Sequence, residues 1–359
     1  MSVQTALGHL ARREDIPAAC MRAAMQQIMN AEVRPEQAAA MLMGLVVKGE
    51  TSAELTAAAE VMREHAVPVS IPLTGDADFV LDTCGTGGDG SRIFNVSTAA
   101  AFVCAEAGIK VAKHGNRSVS STSGSADVLE AAGLRLDLQP QQVASCVQQL
   151  NIGFLYARAH HPAVARVAEV RQALGLRTMF NLLGPLTNPA AAPCQLLGVY
   201  AARWLQPVAQ TLQRLGSRHV MVVHAEDGLD EISCASNTLV TELRDGSLHN
   251  LVIEPEQYLG QRRSLDALQV ADAHQSLALI EQALRGSEGA AADIVALNAG
   301  AGIYVADRAD SLQSGYRLAR EILASGKAWQ RLQQLVELSQ ALAATAADGP
   351  HHAEAGSDS

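Results

Sequence analysis

The sequence predicts an α/β protein: a small all-helical domain over residues 1–70, then a larger domain over residues 77–340 with a mostly parallel central sheet flanked by helices. Three observations point there. A chain of 359 residues exceeds a single ordinary domain and suits one large domain with a smaller companion. The first seventy residues carry helix-period apolar spacing and nothing that reads as a strand. From Phe79 onward, short apolar runs alternate with polar loops and helical patterns, the rhythm of strand–loop–helix units in a parallel sheet.

Taken in order, Pro35 suits the first turn of a helix that sets Ala38, Met41, Leu42, Leu45 and Val46 on one side. Thr51 and Glu54 fit a capping box, and a second helix continues through Leu55, Ala58 and Met62. Pro68, Ile71, Pro72 and Gly75 break the pattern and place a linker near 66–77. Phe79–Leu81 reads as a short buried strand leading into a glycine-rich turn. Ser97 or Thr98 then caps a helix through Ala99, Val103 and Ala107, which Gly108 ends. Ile109–Lys113 is a second strand, and after a polar loop a helix runs from Ala126 to Ala132 with Gly133 as its stop. A helix over 162–175 and strands at Leu196–Tyr200 and Val220–His224 follow. Residues 341–359 are poor in bulky apolar side chains and predict a disordered tail.

Composition narrows the function. A 48% hydrophobic, 18% charged chain can bury a core. It has no apolar run near the ~20 residues that cross a bilayer, and its first residues lack a secretion signal's basic start and apolar centre. The expectation is a cytoplasmic protein with no membrane partner. A net charge of −10 disfavours general nucleic-acid binding, although a local cationic pocket or a metal can still hold a small phosphorylated ligand. The six cysteines form no C-x-x-C pair and read as reduced core residues.

Four stretches carry chemistry. The first loop contains Gly85, Gly87, Gly88, Asp89 and Gly90, whose backbone N–H groups can turn towards an anion. Asn95, Ser97 and Thr98 follow at a helix N-terminus favourable for phosphate. The same glycines also suit an ordinary tight strand–helix turn, and the spacing matches neither a Walker loop nor G-x-G-x-x-G. The second loop, from Lys113 to Ser125, gathers two cations, His114, Asn116 and several hydroxyls, where a merely solvated loop would need none of that concentration. Two such loops at the carboxyl ends of neighbouring strands suit a ligand with two phosphate groups. Asp230 and Glu231 are hard oxygen donors fit for Mg²⁺, or otherwise surface charges. Among Arg166, Arg171 and Arg177, one could clamp a carboxylate bidentately, while any single one also suits a structural role.

Together these stretches resemble the anthranilate phosphoribosyltransferase family from the N-terminal helices to about residue 340. The matching pieces are GTGGDG (85–90), FNVSTAAA (94–101), KHGNRSVSS (113–121), SGSADVLE (123–130), VRQALGLRTMFNLLGPLTNP (170–189) and DGLDEIS (227–233). The resemblance implies a nucleoside phosphorylase/phosphoribosyltransferase-like fold, with part of 165–195 joining the helical domain, and a homodimer. It implies the substrates 5-phosphoribosyl-1-diphosphate (PRPP) and anthranilate, with Mg²⁺. It places Gly85, Gly88, Asp89, Asn95, Val96, Ser97 and Thr98 around the diphosphate side of PRPP. Lys113, His114, Gly115, Asn116, Arg117, Ser118, Val119, Ser120, Ser121 and Ser125 would surround the remaining phosphate and the ribose. Gly85, Asn116 and Arg171 match its anthranilate contacts, and Ser97, Asp230 and Glu231 its magnesium positions. Ile93 stands where many members carry Thr, and so offers backbone only.

No acid–base residue is assigned: an aromatic amine already has a free lone pair, and His114 suits loop-shaping as well as proton transfer. The rival readings are a pyrimidine nucleoside phosphorylase-like enzyme and a non-enzymatic nucleic-acid-binding paralogue.

Overall fold

The computed structural model describes residues 2–73, 79–118 and 123–347. The chain opens with four helices, α1 (Val3–Ala11), α2 (Ala18–Met29), α3 (Pro35–Lys48) and α4 (Ser52–Glu64). Pro35 opens α3, and at α4 the capping box closes reciprocally: Glu54 N donates to Thr51 Oγ1 (3.3 Å) and Thr51 N to Glu54 Oε2 (2.8 Å). Glu54 is otherwise buried beside Lys48 (3.0 Å), whose charge offsets its own.

The sheet follows. Its elements are β1 (Val80–Gly85), α5 (Val96–Glu106), β2 (Lys110–Gly115), α6 (Ser125–Ala131), α7 (Pro140–Leu150) and β3 (Ile152–Tyr156). The chain then leaves through α8 (Ala157–His160), a 3₁₀ turn (Pro162–Val167), α9 (Ala168–Leu174) and α10 (Met179–Leu186), and returns as β4 (Cys194–Gly198), α11 (Leu205–Arg214) and β5 (His219–Ala225). A hairpin, β6 (Thr238–Arg244) and β7 (Ser247–Ile253), precedes α12 (Glu256–Leu259), α13 (Ala273–Leu284), α14 (Ala290–Val305), α15 (Leu312–Ser325) and α16 (Lys327–Ala347). The strand order is β3-β2-β1-β4-β5-β6-β7, parallel from β3 to β5 and antiparallel at the last two.

Sequence expectations shift at several boundaries. β1 starts one residue after Phe79 and runs on to Gly85, because Leu81–Gly85 pairs residue for residue with Cys194–Gly198. The helix after the glycine loop begins at Val96, with Asn95 rather than Ser97 or Thr98 in the capping position. The tail forecast starts too early. α16 continues through Ala347, carrying Leu342 and Ala343 against the core, and the rest of the tail lies outside the described residues. Most of the second half of the linker, 74–77, also lies outside them.

Period-two alternation sends successive side chains to opposite faces. Met221 and Val223 of β5 face the core shared with α5 and α14, while Val220 and Val222 face the core shared with the N-terminal helices. α9 packs on α3, α10 on α3 and α4, and α11 on α4, so the excursion between β3 and β5 knits the helical layer to the sheet. Arg63 Nε donates to Leu186 O (2.8 Å) and Val69 N to Pro189 O (3.0 Å) across the same seam. Strand order reverses between β1 and β4, and it is in the crevice outside the carboxyl ends at such a point that open α/β sheets bind ligands.

Candidate active site at the β1/β4 crevice

β1 ends at Gly85, and the loop beyond turns on Gly87, Gly88 and Gly90, with φ of 64°, 74° and 80°. Those angles strain any residue with a Cβ. Thr86 N donates to Gly198 O (2.9 Å), tying the loop to the end of β4. A Cβ on Gly85 would meet Asp230 Oδ2 at 2.5 Å, and one on Gly198 would overlap the Asp230 carbonyl. Glycine at both strand ends therefore lets the acidic loop lie directly on the sheet.

Asp230 Oδ2 accepts from Gly87 N (2.7 Å), and Glu231 Oε1 accepts from Ser97 N (3.0 Å) in the first turn of α5. Lys113, buried at the end of β2, donates through Nζ to Thr83 O (2.5 Å) and Ser97 Oγ (3.3 Å). Glycine loop, helix N-terminus, lysine and acidic pair thus form one contiguous cluster. Loss of hydration pushes the Asp230 carboxyl well above its usual range, with the nearby Asp89 adding to the effect. Glu231 rises for the same first reason, reinforced by Asp230. Desolvation lowers the Lys113 ammonium, partly offset by Asp82, Cys84 and Glu231. Among the described residues no three His, Cys, Asp or Glu side chains are grouped as a ready-made metal cage. The donor set nevertheless suits a hard divalent cation: adjacent desolvated carboxyls gain most from a positive charge, and Mg²⁺ commonly takes one or two carboxylates plus substrate phosphates.

The second loop is tied to its own surroundings. Asp82, buried in β1, accepts from His114 N (3.1 Å) and from Asn188 Nδ2 (2.8 Å), which fixes the end of β2. Gly115 lies so close to Ser125 Oγ that a Cβ would overlap it. Asn116 Oδ1 accepts from Arg117 N (2.8 Å), and Ser118 N donates to Asp127 Oδ2 (2.9 Å). The Arg117 guanidinium binds Glu130 through both nitrogens (2.7 Å each) and Asp127 (3.1 Å). Two carboxylates hold this guanidinium, which the resemblance assigns to the remaining phosphate and ribose of PRPP. Asn95 Oδ1 accepts from Ser123 Oγ and Ser276 Oγ (both 2.7 Å), so its side chain ties the start of α5 to α13 and to the segment just before α6. Val96 is buried, as is Thr98, whose Oγ1 has no hydrogen-bond partner among the described residues. Val119, Ser120 and Ser121 lie outside the described residues. Ile93 forms a backbone bridge with Gln269.

The opposite wall comes from α8–α10. The His161 ring lies 5.2 Å from that of His114, tilted by 53°, and the Gly184 carbonyl lies beside the His114 ring. Burial holds both imidazoles below their ordinary range, His114 far below and His161 at about 4, with neighbouring histidines adding to the effect. Both are neutral at pH 7. Arg171 lies over the Phe180 ring (5.5 Å), and desolvation lowers its guanidinium; it has no carboxylate partner among the described residues. Phe180 is one turn before Gly184, whose absent Cβ would meet nothing within 4 Å, so open space adjoins this wall. Arg166 is spent on Met29 O, whereas Arg177 reaches Gly88 O and stacks on Tyr200 (4.4 Å). The sequence reading missed Asp82, His161, Asn188 and the Arg177 contact, since each works through a partner about twenty or more residues away.

Two family profiles match the chain: the glycosyl transferase family a/b domain over residues 77–329, and the glycosyl transferase family helical bundle domain over residues 4–66. An anthranilate phosphoribosyltransferase from Thioalkalivibrio sulfidiphilus is 54% identical over 339 residues, covering 94% of this chain and 99% of its own. One from Alkalilimnicola ehrlichii is 53% identical over 340 residues, covering 95% and 99%. Among solved structures, the anthranilate phosphoribosyltransferase of Thermus thermophilus superposes with a TM-score of 0.87 at 43% identity, covering 93% of this chain and 99% of its own. The Saccharomyces cerevisiae enzyme in complex with PRPP and Mg has the same fold, with a TM-score of 0.85 at 23% identity over 94% and 98% of the chains.

Proposed function

The chain belongs to the anthranilate phosphoribosyltransferase family, and we propose on that premise that it transfers the phosphoribosyl group of PRPP to the amine of anthranilate. The products are N-(5-phosphoribosyl)anthranilate and diphosphate, the second step of tryptophan synthesis from chorismate. One observation carries the reading furthest. The glycine loop, Ser97, Lys113 and the Asp230–Glu231 pair are linked by hydrogen bonds at a single crevice, as a sugar diphosphate requires.

The amine nitrogen attacks C1 of the ribose as the C1–O bond to diphosphate breaks, and the nitrogen sheds its proton after the bond forms. Positive charge grows on the sugar while negative charge grows on the departing oxygens. Backbone N–H groups of the glycine loop and the Lys113 ammonium lie where that negative charge develops. Asp230, Glu231 and the Ser97 hydroxyl would hold Mg²⁺, which when bound neutralises diphosphate charge. Arg171, desolvated and without an acidic partner among the described residues, offers its guanidinium to the anthranilate carboxylate, and Asn116 and Gly85 complete that side. Orientation then supplies much of the rate, with no general base needed. Neutral His114 and His161 shape the cleft wall.

The reading includes a cytoplasmic location; no described helix is long and apolar enough to cross a membrane. It also includes a homodimer through the helical layer, supported by Met43 and Val47, exposed apolar side chains one turn apart on α3. The test follows anthranilate fluorescence with PRPP and Mg²⁺ present, each omitted in turn. Loss of signal only in the complete mixture is expected; fluorescence that persists there would refute the assignment.

A further inference from the structure

We propose that Asn298, in the middle of α14, is a positioning residue that presets the Asp230–Glu231 pair for a magnesium-bound diphosphate. The inference rests on the metal reading above. α14 is apolar on nearly every side, from Ala291 through Ile294, Val295 and Leu297 to Ile303. Asn298 breaks that run while being fully buried. A leucine would pack such a site without the cost of burying an amide, so the amide has a job.

That job is visible in its bonds. Asn298 Oδ1 accepts from Ile232 N (2.9 Å), and its Nδ2 donates to Ile232 O (2.9 Å) and to Ile294 O (2.9 Å). The Ile232 N–H belongs to the peptide that joins it to Glu231, so one side chain fixes both peptide groups flanking the residue after the acidic pair. The rest of the loop is braced within itself and on 262–263: Ser233 Oγ donates to Asp227 Oδ2 (2.6 Å), Ser233 N to Thr238 Oγ1 (3.1 Å), Glu226 N to Asn237 O (2.9 Å), and, past the apex, Arg263 N to Cys234 O (2.8 Å) and Arg262 Nη2 to Asn237 Oδ1 (2.9 Å). Among the described residues, the apex, Asp230–Ile232, is otherwise bonded to Gly87 N and Ser97 N, which belong to the binding cluster itself. Asn298 is thus the apex's hydrogen-bonded anchor from outside the cluster among the described residues.

Consecutive carboxylates repel in a water-poor crevice, and a loop free to relax would swing one of them away. α14 supplies a fixed reference against that tendency. A Cβ on Gly302 would meet Cys104 Sγ of α5 at 2.7 Å and Leu81 of β1 at 3.4 Å, so the helix lies hard against the two elements that carry Gly85 and Ser97. The distance from Asn298 to the start of α5 is set by this close packing of α14 on α5, and Asn298 transmits it to the carboxyls. Side chains that orient metal ligands from behind commonly change metal affinity about 10–100-fold when removed.

The test measures magnesium diphosphate binding by calorimetry in Asn298→Ala and Asn298→Asp, the second keeping shape and one acceptor but losing both donated bonds. The expected result is a dissociation constant raised about 10–100-fold, with the Michaelis constant for anthranilate unchanged. A merely structural role would lower the folded fraction and leave both constants alone in what remains folded. Folded variants that bind magnesium diphosphate as tightly as the parent would overturn the proposal. Should the variants not fold, amide exchange in the parent protein decides: a protected Ile232 N–H without ligand supports the preset loop, and rapid exchange overturns it. A parent that binds diphosphate equally with and without magnesium would instead remove the metal reading on which this one stands.

Discussion

His161 illustrates how a single side chain links burial to pH. Its ring is 7% exposed and its ionisation falls to about 4, whereas an unfolded chain would protonate it near 6.5. The folded value is the depressed one. Its contribution is therefore complete above the unfolded value and is lost as pH falls through the folded one. Protonating it inside the fold costs up to about 3 kcal/mol, and His114 adds in the same direction. We expect the melting temperature to drop between pH 6.5 and 4, and His161→Gln to flatten that slope, measured by calorimetry across the range. A slope unchanged by the substitution would place the titration elsewhere. Residue identities in the binding cluster were legible because glycines, Ser97, Lys113 and the acidic pair sit in short motifs. The bonds that Arg117 and Asn95 make within the fold were not legible, for the converse reason. Their partners, Glu130 and Ser276, lie beyond the loops, and only the fold shows that these polar groups are already engaged.

Helices α14 and α15 cross at two glycines. A Cβ on Gly300 would meet the Tyr316 backbone at 2.7 Å, and one on Gly315 would overlap the Gly300 carbonyl. Backbone cannot yield as a flexible side chain does, so Gly315→Ala should cost about 1–3 kcal/mol by forcing the helices apart. Urea unfolding measures it; a loss well below that range would show that the crossing is loose. Elements differ in how plainly the chain announces them. α3 and α4 carry Pro35, a Thr51/Glu54 box and a one-sided apolar stripe, so their starts are readable. α14 is buried nearly all round, with Asp293 and Asn298 among its apolar residues, and has no period to detect. The β6–β7 hairpin did leave a signal that went unused: Asp245 and Gly246 both take positive φ (50° and 75°), the Asp-Gly turn between two alternating strands.

At the scale of the whole molecule, the helical layer and the sheet share a core, while one face of α3 remains bare. Val47 is 62% exposed with Met43 beside it, and replacing both with Glu should yield monomers by light scattering while the fold is retained. An unaltered dimer would move the interface elsewhere, and a parent that is already monomeric would dismiss the dimer. Two-part organisation was legible in the change of rhythm at Phe79. The return of 157–186 to the helical side leaves no periodic trace, because it rests on packing partners across the seam; only the family resemblance, which joins part of 165–195 to the helical domain, pointed to it.

That return has a practical consequence for anyone cutting the molecule. Residues 1–70 look like a detachable module in the linear sequence, yet part of the cover over α4 is furnished by α10 and α11, more than a hundred residues downstream. A truncation at the linker would strip that cover and leave two sticky fragments, so loss of function on excision would reveal nothing about catalysis.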